Sequence, residues 1–210
     1  MERQQAIEQY SKIKLTELSE KERAEQLEVM TLEDWSDIEE WNSLPKSLRK
    51  EFEYGKEIKS PELEKYNPVL MIWLKYSLQS ISNEFVCQKL NIKNIIGKPI
   101  EMESCPCCGF KTIDKRGDYD ICKVCWWEDY GEDNENAENK MSGPNYGISL
   151  ALGRYNYLVY GLYDPKRTDL MEQKEEENQY NQGRIFEIID NEFLIEKGTD
   201  WKWKITLPNK

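Results

Sequence analysis

A chain of 210 residues with 29 basic and 40 acidic side chains carries a net charge of −11, which argues against a protein whose main work is gripping phosphate backbones. Its 7 Trp, 12 Tyr and 5 Phe are too many for a disordered tail, and its length allows one domain or two small ones. It has no His, so every acid–base or metal hypothesis must use Cys, Asp, Glu, Lys or Tyr.

No apolar run approaches the ~18–20 residues that span a bilayer. The start, MERQQAIEQYSK, lacks the apolar stretch of a signal peptide. The expected location is cytoplasmic.

The first ~95 residues read as a helical bundle. Ser19 with Glu22 forms a Ser-x-x-Glu capping box for a helix reaching about Met30. Thr31 is expected to cap a second helix with Leu32, Trp35, Ile38 and Trp41 on its apolar face. Pro45 suits the first turn of a third, carrying Leu48 and Phe52 and stopping near Gly55. Pro68 is expected to start the longest helix, with Val69, Ile72, Trp73, Tyr76, Ile81, Phe85 and Val86 as its apolar set. An aromatic stripe at helical spacing reads as core before it reads as a ligand cage. Cys87, on that helix, reads as a small buried hydrophobe.

Gly97-Lys98-Pro99 breaks the helical pattern, after which Cys, Gly, Asp and Tyr dominate. Three segments follow from this: a helical domain at 1–97, a cysteine module at 98–165 and an extension at 166–210 packed on it. Residues 101–150 hold five basic and eleven acidic side chains, so the middle is the acidic part. Its run WWEDYGEDNENAEN places Glu128, Asp129, Glu132, Asp133, Glu135 and Glu138 with no base among them, a solvated loop or a surface for a basic partner. Ser149 can cap a helix running to about Leu162, and the tail around Phe186 and Trp203 alternates enough to suggest strands.

The strongest chemical signal is Cys105-x2-Cys108 followed by Cys122-x2-Cys125, the spacing class of a zinc site. Four thiolates close a tetrahedron and leave no position for a catalytic water, so one structural zinc ion is expected. Cys107 offers a third thiol in the first knuckle, but pairing Cys105 with Cys108 gives the normal turn, with Gly109 supplying a permissive backbone. Residues 110–121 are expected to form a hairpin, turning at Lys115 to Asp118, that brings the two knuckles together. Redox C-x-x-C and disulfide readings compete, and two pairs at this spacing favour metal.

CPCCGFKTI, GDYDICKVCWWEDYG and SGPNYGISLALGRYNY together resemble the cysteine-rich CPCC family of small bacterial proteins. The sequence departs from that pattern at Lys123, where Pro is usual, and at Tyr130, where a second Asp is common. The resemblance implies a small zinc-binding module and a place in toxin–immunity neighbourhoods. The expected fold class is α+β: an N-terminal helical bundle, then a zinc-ribbon-like β-hairpin module with a trailing helix and short strands.

No nucleophile–base pair is visible, so the expectation is a non-enzymatic protein. The first reading is an immunity protein that neutralises a basic toxin through the acidic stretch. The alternative is a zinc-ribbon adaptor on nucleic-acid machinery. Its best basic cluster, Lys111, Lys115 and Arg116, is matched by Asp114, Asp118 and Asp120.

Overall fold

The computed structural model describes residues 1–52, 56–139 and 143–207. The chain is α+β and divides into two compact units, Met1–Pro99 and Ile100–Lys210. The expected helix stop at Gly55 and the first residue of the Ser142 turn fall outside the described residues. Among those residues no helix is long and apolar enough to cross a membrane.

The first unit is helical: α1 (Arg3–Glu17), α2 (Glu20–Leu32), α3 (Glu39–Ser43), α4 (Lys46–Arg49), α5 (Asn67–Ser77) and α6 (Asn83–Leu90). The sequence pattern gives little sign of α1, although it is the longest of them. Its buried residues Arg3, Ala6, Ile7, Tyr10 and Ser11 recur at helical spacing, but an Arg, an Ala and a Ser in the stripe hide it from hydropathy. The Arg3 guanidinium is satisfied by Asn83 and by the carbonyls of Gln79 and Ile81, each carbonyl at 2.8 Å.

α2 starts on the predicted capping box: Glu22 accepts from the Ser19 N–H at 2.8 Å and Ser19 Oγ accepts from the Glu22 N–H at 3.3 Å. Thr31 caps nothing. It lies in the last turn of α2 with its hydroxyl donating to Glu28 O at 2.8 Å, and α3 begins only at Glu39. The single helix expected after Pro68 is two. α5 stops at Ser77, and Ser82 caps α6 by accepting from the Phe85 N–H at 3.1 Å. Serines favour such local bonds over helix interiors, which explains the break.

α1 packs on α5 and α6, and α2 and α3 pack on α5. Leu27, Met30, Trp41, Phe52, Tyr66 and Leu70 share the core, with Phe52 edge-to-face against Trp41 and Tyr66, both at 5.8 Å. Cys87 is only half-buried.

The second unit holds four short strands, β1 (Glu103–Ser104), β2 (Lys111–Ile113), β3 (Asp120–Ile121) and β4 (Glu128–Asp129). Then come α7 (Leu150–Tyr160), α8 (Thr168–Met171) and an antiparallel sheet of β5 (Phe186–Ile189), β6 (Phe193–Glu196) and β7 (Lys202–Lys204) in the order β5-β6-β7. The hairpin expected across 110–121 does not form. β1 pairs with β2 and β3 with β4, so each ladder flanks one cysteine pair. Asp120 explains the difference, because its carboxylate accepts from the N–H groups of Asp114 and Lys115 at 2.8 and 3.1 Å and folds that loop back on itself.

Candidate metal centre

The two knuckles are built alike. The Cys105 N–H donates to Phe110 O at 2.8 Å and the Cys122 N–H to Trp127 O at 2.9 Å. The Gly109 N–H returns to Cys105 O at 2.9 Å and the Trp126 N–H to Cys122 O at 2.8 Å. Both turns need a left-handed residue after their second cysteine. Gly109 takes it at φ +85° without strain, whereas Trp126 takes it at φ 64° with a side chain.

This repetition aims four thiols at one point. The Sγ atoms of Cys105, Cys108, Cys122 and Cys125 all lie within 4.8 Å of one another, and all four residues are buried. Two of the separations are 3.6 Å (Cys105 to Cys125) and 3.5 Å (Cys108 to Cys122). A tetrahedron of about 2.3 Å metal–sulfur bonds has edges of about 3.8 Å, so the thiols are already close to that geometry. Burial pushes the Cys105, Cys108 and Cys125 thiols up. In Cys122, burial is outweighed by hydrogen bonds from the other three thiols and Thr112, and its thiol is held well down. Thr112 Oγ1 donates to Cys122 Sγ at 3.0 Å, the kind of outer contact that orients a ligand. Buried thiols short of a counter-charge, at this spacing, fit a cation.

Cys107 is buried but stands outside the four, and its own N–H donates to Cys105 Sγ at 3.4 Å.

α7 closes the site from one side. Arg154 is fully buried, its Nε donating to Pro106 O at 2.8 Å between the first two cysteines. Its guanidinium lies 4.3 Å from the ring centroids of both Phe186 and Trp201. Burial, with the nearby charge of Arg184 adding to it, lowers Arg154 to about 10. Trp127 is fully buried, edge-to-face with Tyr163 at 5.9 Å. The segment after α7 ties both knuckles down: the Tyr163 N–H donates to Cys125 O at 3.1 Å and the Glu175 N–H to Lys123 O at 2.8 Å. Gly183 and Arg184 N–H groups both reach Gly109 O, at 2.9 and 3.2 Å. The sequence gives no reason to single out Thr112, Arg154 or Arg184. The one signal was an Arg inside the otherwise apolar run LALGRYNYLVY.

The acidic stretch is placed differently from the reading of it as a partner surface. Asp129 is fully buried, accepting from Arg116 Nε at 2.7 Å and from the Gly117 N–H at 2.9 Å. Asp133 accepts from Arg184 Nη2 at 2.6 Å and from Arg116 Nη1 at 3.1 Å, while Arg184 also bonds both oxygens of Glu196, at 2.7 and 2.8 Å. Burial works against the Asp133 charge, but the arginines outweigh it and hold the carboxyl down at about 2. Glu132 is buried, with no hydrogen-bond partner on either oxygen among the described residues. Burial pushes its carboxyl up; Tyr130, close by but outside hydrogen-bond geometry, offsets only part of this, and the Asp129 charge adds to it. The counter-charges come from distant Arg116 and Arg184, which local composition cannot reveal. Glu128 is half-buried, while Glu135 and Glu138 remain exposed.

Residues 103–178 match the sequence profile of the family described as Cysteine-rich CPCC. That stretch carries the four-cysteine cluster, the whole of the helix that closes it and the segment tying the second knuckle, so the family pattern and the site coincide. No curated protein and no solved structure matched the chain.

Proposed function

We propose that the protein is a non-enzymatic zinc protein in which one ion on Cys105, Cys108, Cys122 and Cys125 holds a small module in shape for binding another protein. The observation that carries this is the buried set of four thiols within 4.8 Å of one another. Zinc is the ion of choice for four thiolates in a tetrahedron, and a site with all four positions filled by protein holds structure and does not activate water. When bound, the ion would supply folding free energy to residues that otherwise leave four buried thiols unpaired.

The finer reading is an immunity protein, present in the cytoplasm, that neutralises a basic toxin. The net charge of −11 and the exposed Glu135 and Glu138 support it by favouring fast encounter with a positive surface. The adaptor reading has less behind it, because Lys111, Lys115 and Arg116 each already contact a carboxylate.

Elemental analysis of protein purified without added metal tests the first step, with one zinc per chain expected and none in Cys122→Ser. Finding no metal, or a Cys105–Cys108 disulfide, would overturn it. For the second step, the adjacent gene is induced with and without this protein. Growth rescue supports neutralisation, and equal growth in the two cultures removes it.

A further inference from the structure

The helical unit carries an aromatic-walled cavity with an acidic rim. The α2–α3 connection and α5 enclose a cavity of about 190 Å³ walled by Trp35, Trp73 and Tyr76. Trp35 is 7% exposed and meets Tyr76 edge-on at 5.5 Å, while Tyr76 is 59% exposed at the mouth. The rim is acidic: Glu33, Asp34 and Asp37 line the same cavity. All three are exposed and none forms an ion pair among the described residues; Asp34 only accepts from the Ser36 N–H, at 2.9 Å. The adjacent lysine on α5, Lys75, is bound to Glu40 at 2.8 Å and leaves the rim's charge unmatched. The Trp35 indole N–H is buried without an acceptor among the described residues.

We propose that this cavity receives a lysine side chain presented by a protein partner. Aromatic faces attract an ammonium head while packing its aliphatic stem, and the three carboxylates supply the opposite charge. The volume is below the roughly 300–1,000 Å³ of small-molecule clefts, so a single side chain is the fitting guest. Glu33, Asp34 and Asp37 then act as selectivity residues for charge, and Trp35, Trp73 and Tyr76 as the surface that grips the stem. The site is independent of the metal reading, and its failure would leave that reading untouched.

The test uses the full chain and the neutral-pH NMR signals of its indole N–H groups, titrated with Nα-acetyl-lysine methylamide and with the norleucine analogue, which has a similar stem and no charge. The lysine amide should give saturable shifts of the Trp35 and Trp73 signals, and the norleucine amide none. The triple variant Glu33→Gln, Asp34→Asn, Asp37→Asn should raise the midpoint about tenfold. Asp37→Asn alone, should the triple variant lose its indole dispersion, is expected to raise it about twofold. Equal shifts with both amides, an unchanged midpoint in the variants, or no saturable shift would each overturn the proposal.

Discussion

Gly109 is where the first cysteine turn and the returning chain meet, and replacing it by alanine separates two effects. The residue sits at φ +85°, and a Cβ there would lie 2.0 Å from the carbonyl oxygen of Arg184 and 2.8 Å from its carbon. The positive φ alone costs an alanine about 1–2 kcal/mol. Gly198 isolates that cost, since it has φ +80° with nothing within 4 Å of its ideal Cβ. At Gly109 the atom in the way is backbone, so relief requires moving residues 183–184. That movement strains the two hydrogen bonds they give to Gly109 O, worth about 1 kcal/mol each. Gly109→Ala should therefore cost roughly 3–4 kcal/mol, against about 1–2 kcal/mol for Gly198→Ala. Native-state hydrogen exchange of the Cys105 and Cys122 amides reads the stability of the knuckles directly. Equal opening free energies in the two variants, within about 0.5 kcal/mol, would refute the close approach as the reason for glycine at this position.

Three further substitutions probe the same unit. Cys107→Ala should keep one zinc per chain while lowering stability by about 1 kcal/mol, because it removes a buried sulfur that is no ligand; loss of the metal in this variant would place Cys107 among the ligands. Gly153→Ala should destabilise by about 1–3 kcal/mol in urea melts, although alanine is the better helix former, because its Cβ would meet Trp127 at 2.9 Å and Cys107 Sγ at 3.4 Å. Glu132→Gln should stabilise the protein at pH 7 by about 1 kcal/mol, since it removes a buried carboxylate without partners. The folded protein holds the Glu132 proton more tightly than the unfolded chain does, so stability is lost as pH rises from the unfolded value near ~4.3 through the raised folded one. The gain from glutamine should thus be present at pH 7 and vanish by pH 4, and a gain of equal size at both would show that charge is not its cause.

What could be read from the sequence follows from whether a signal is local. The capping box at Ser19 and Glu22, the Ser149 cap and the cysteine spacings are set within a few residues, and each could be placed without knowing the fold. The break between α5 and α6 was also local, but serines in a strongly apolar helix pattern were outvoted by the stripe. α1 was obscured because its buried face spends positions on Ser11 and on Arg3, whose burial makes sense only once the Gln79 and Ile81 carbonyls are in place. The acidic stretch misled for the same reason. Its partners Arg116 and Arg184 lie 17 and 51 residues from Asp133, and a window of like charge looks solvated until the chain brings its cations back.

The five residues of CPCCG each meet a different neighbour, which gives the motif a physical reading beyond its two ligands. Cys105 and Cys108 face the cluster. The Pro106 carbonyl accepts from buried Arg154, and Cys107 packs where α7 carries Gly153 in place of a side chain. Gly109 clears the way for Arg184, whose guanidinium bonds Asp133 and Glu196. Two residues face the cluster and three dock, so the knuckle is positioned by α7 and the returning chain as well as by any ion it holds. This arrangement accounts for charged residues being drawn inward around a small module. Beside its apolar core, Arg116, Arg154 and Arg184 and the carboxylates of Asp129, Asp133 and Glu196 take over part of the packing, and their pairing keeps that burial tolerable. Two of the acids at the centre of the chain, Asp129 and Asp133, are therefore internal counter-charge. Glu135 and Glu138 stay exposed, and in the helical unit the three carboxylates on the rim of the aromatic-walled cavity stand without a cation among the described residues.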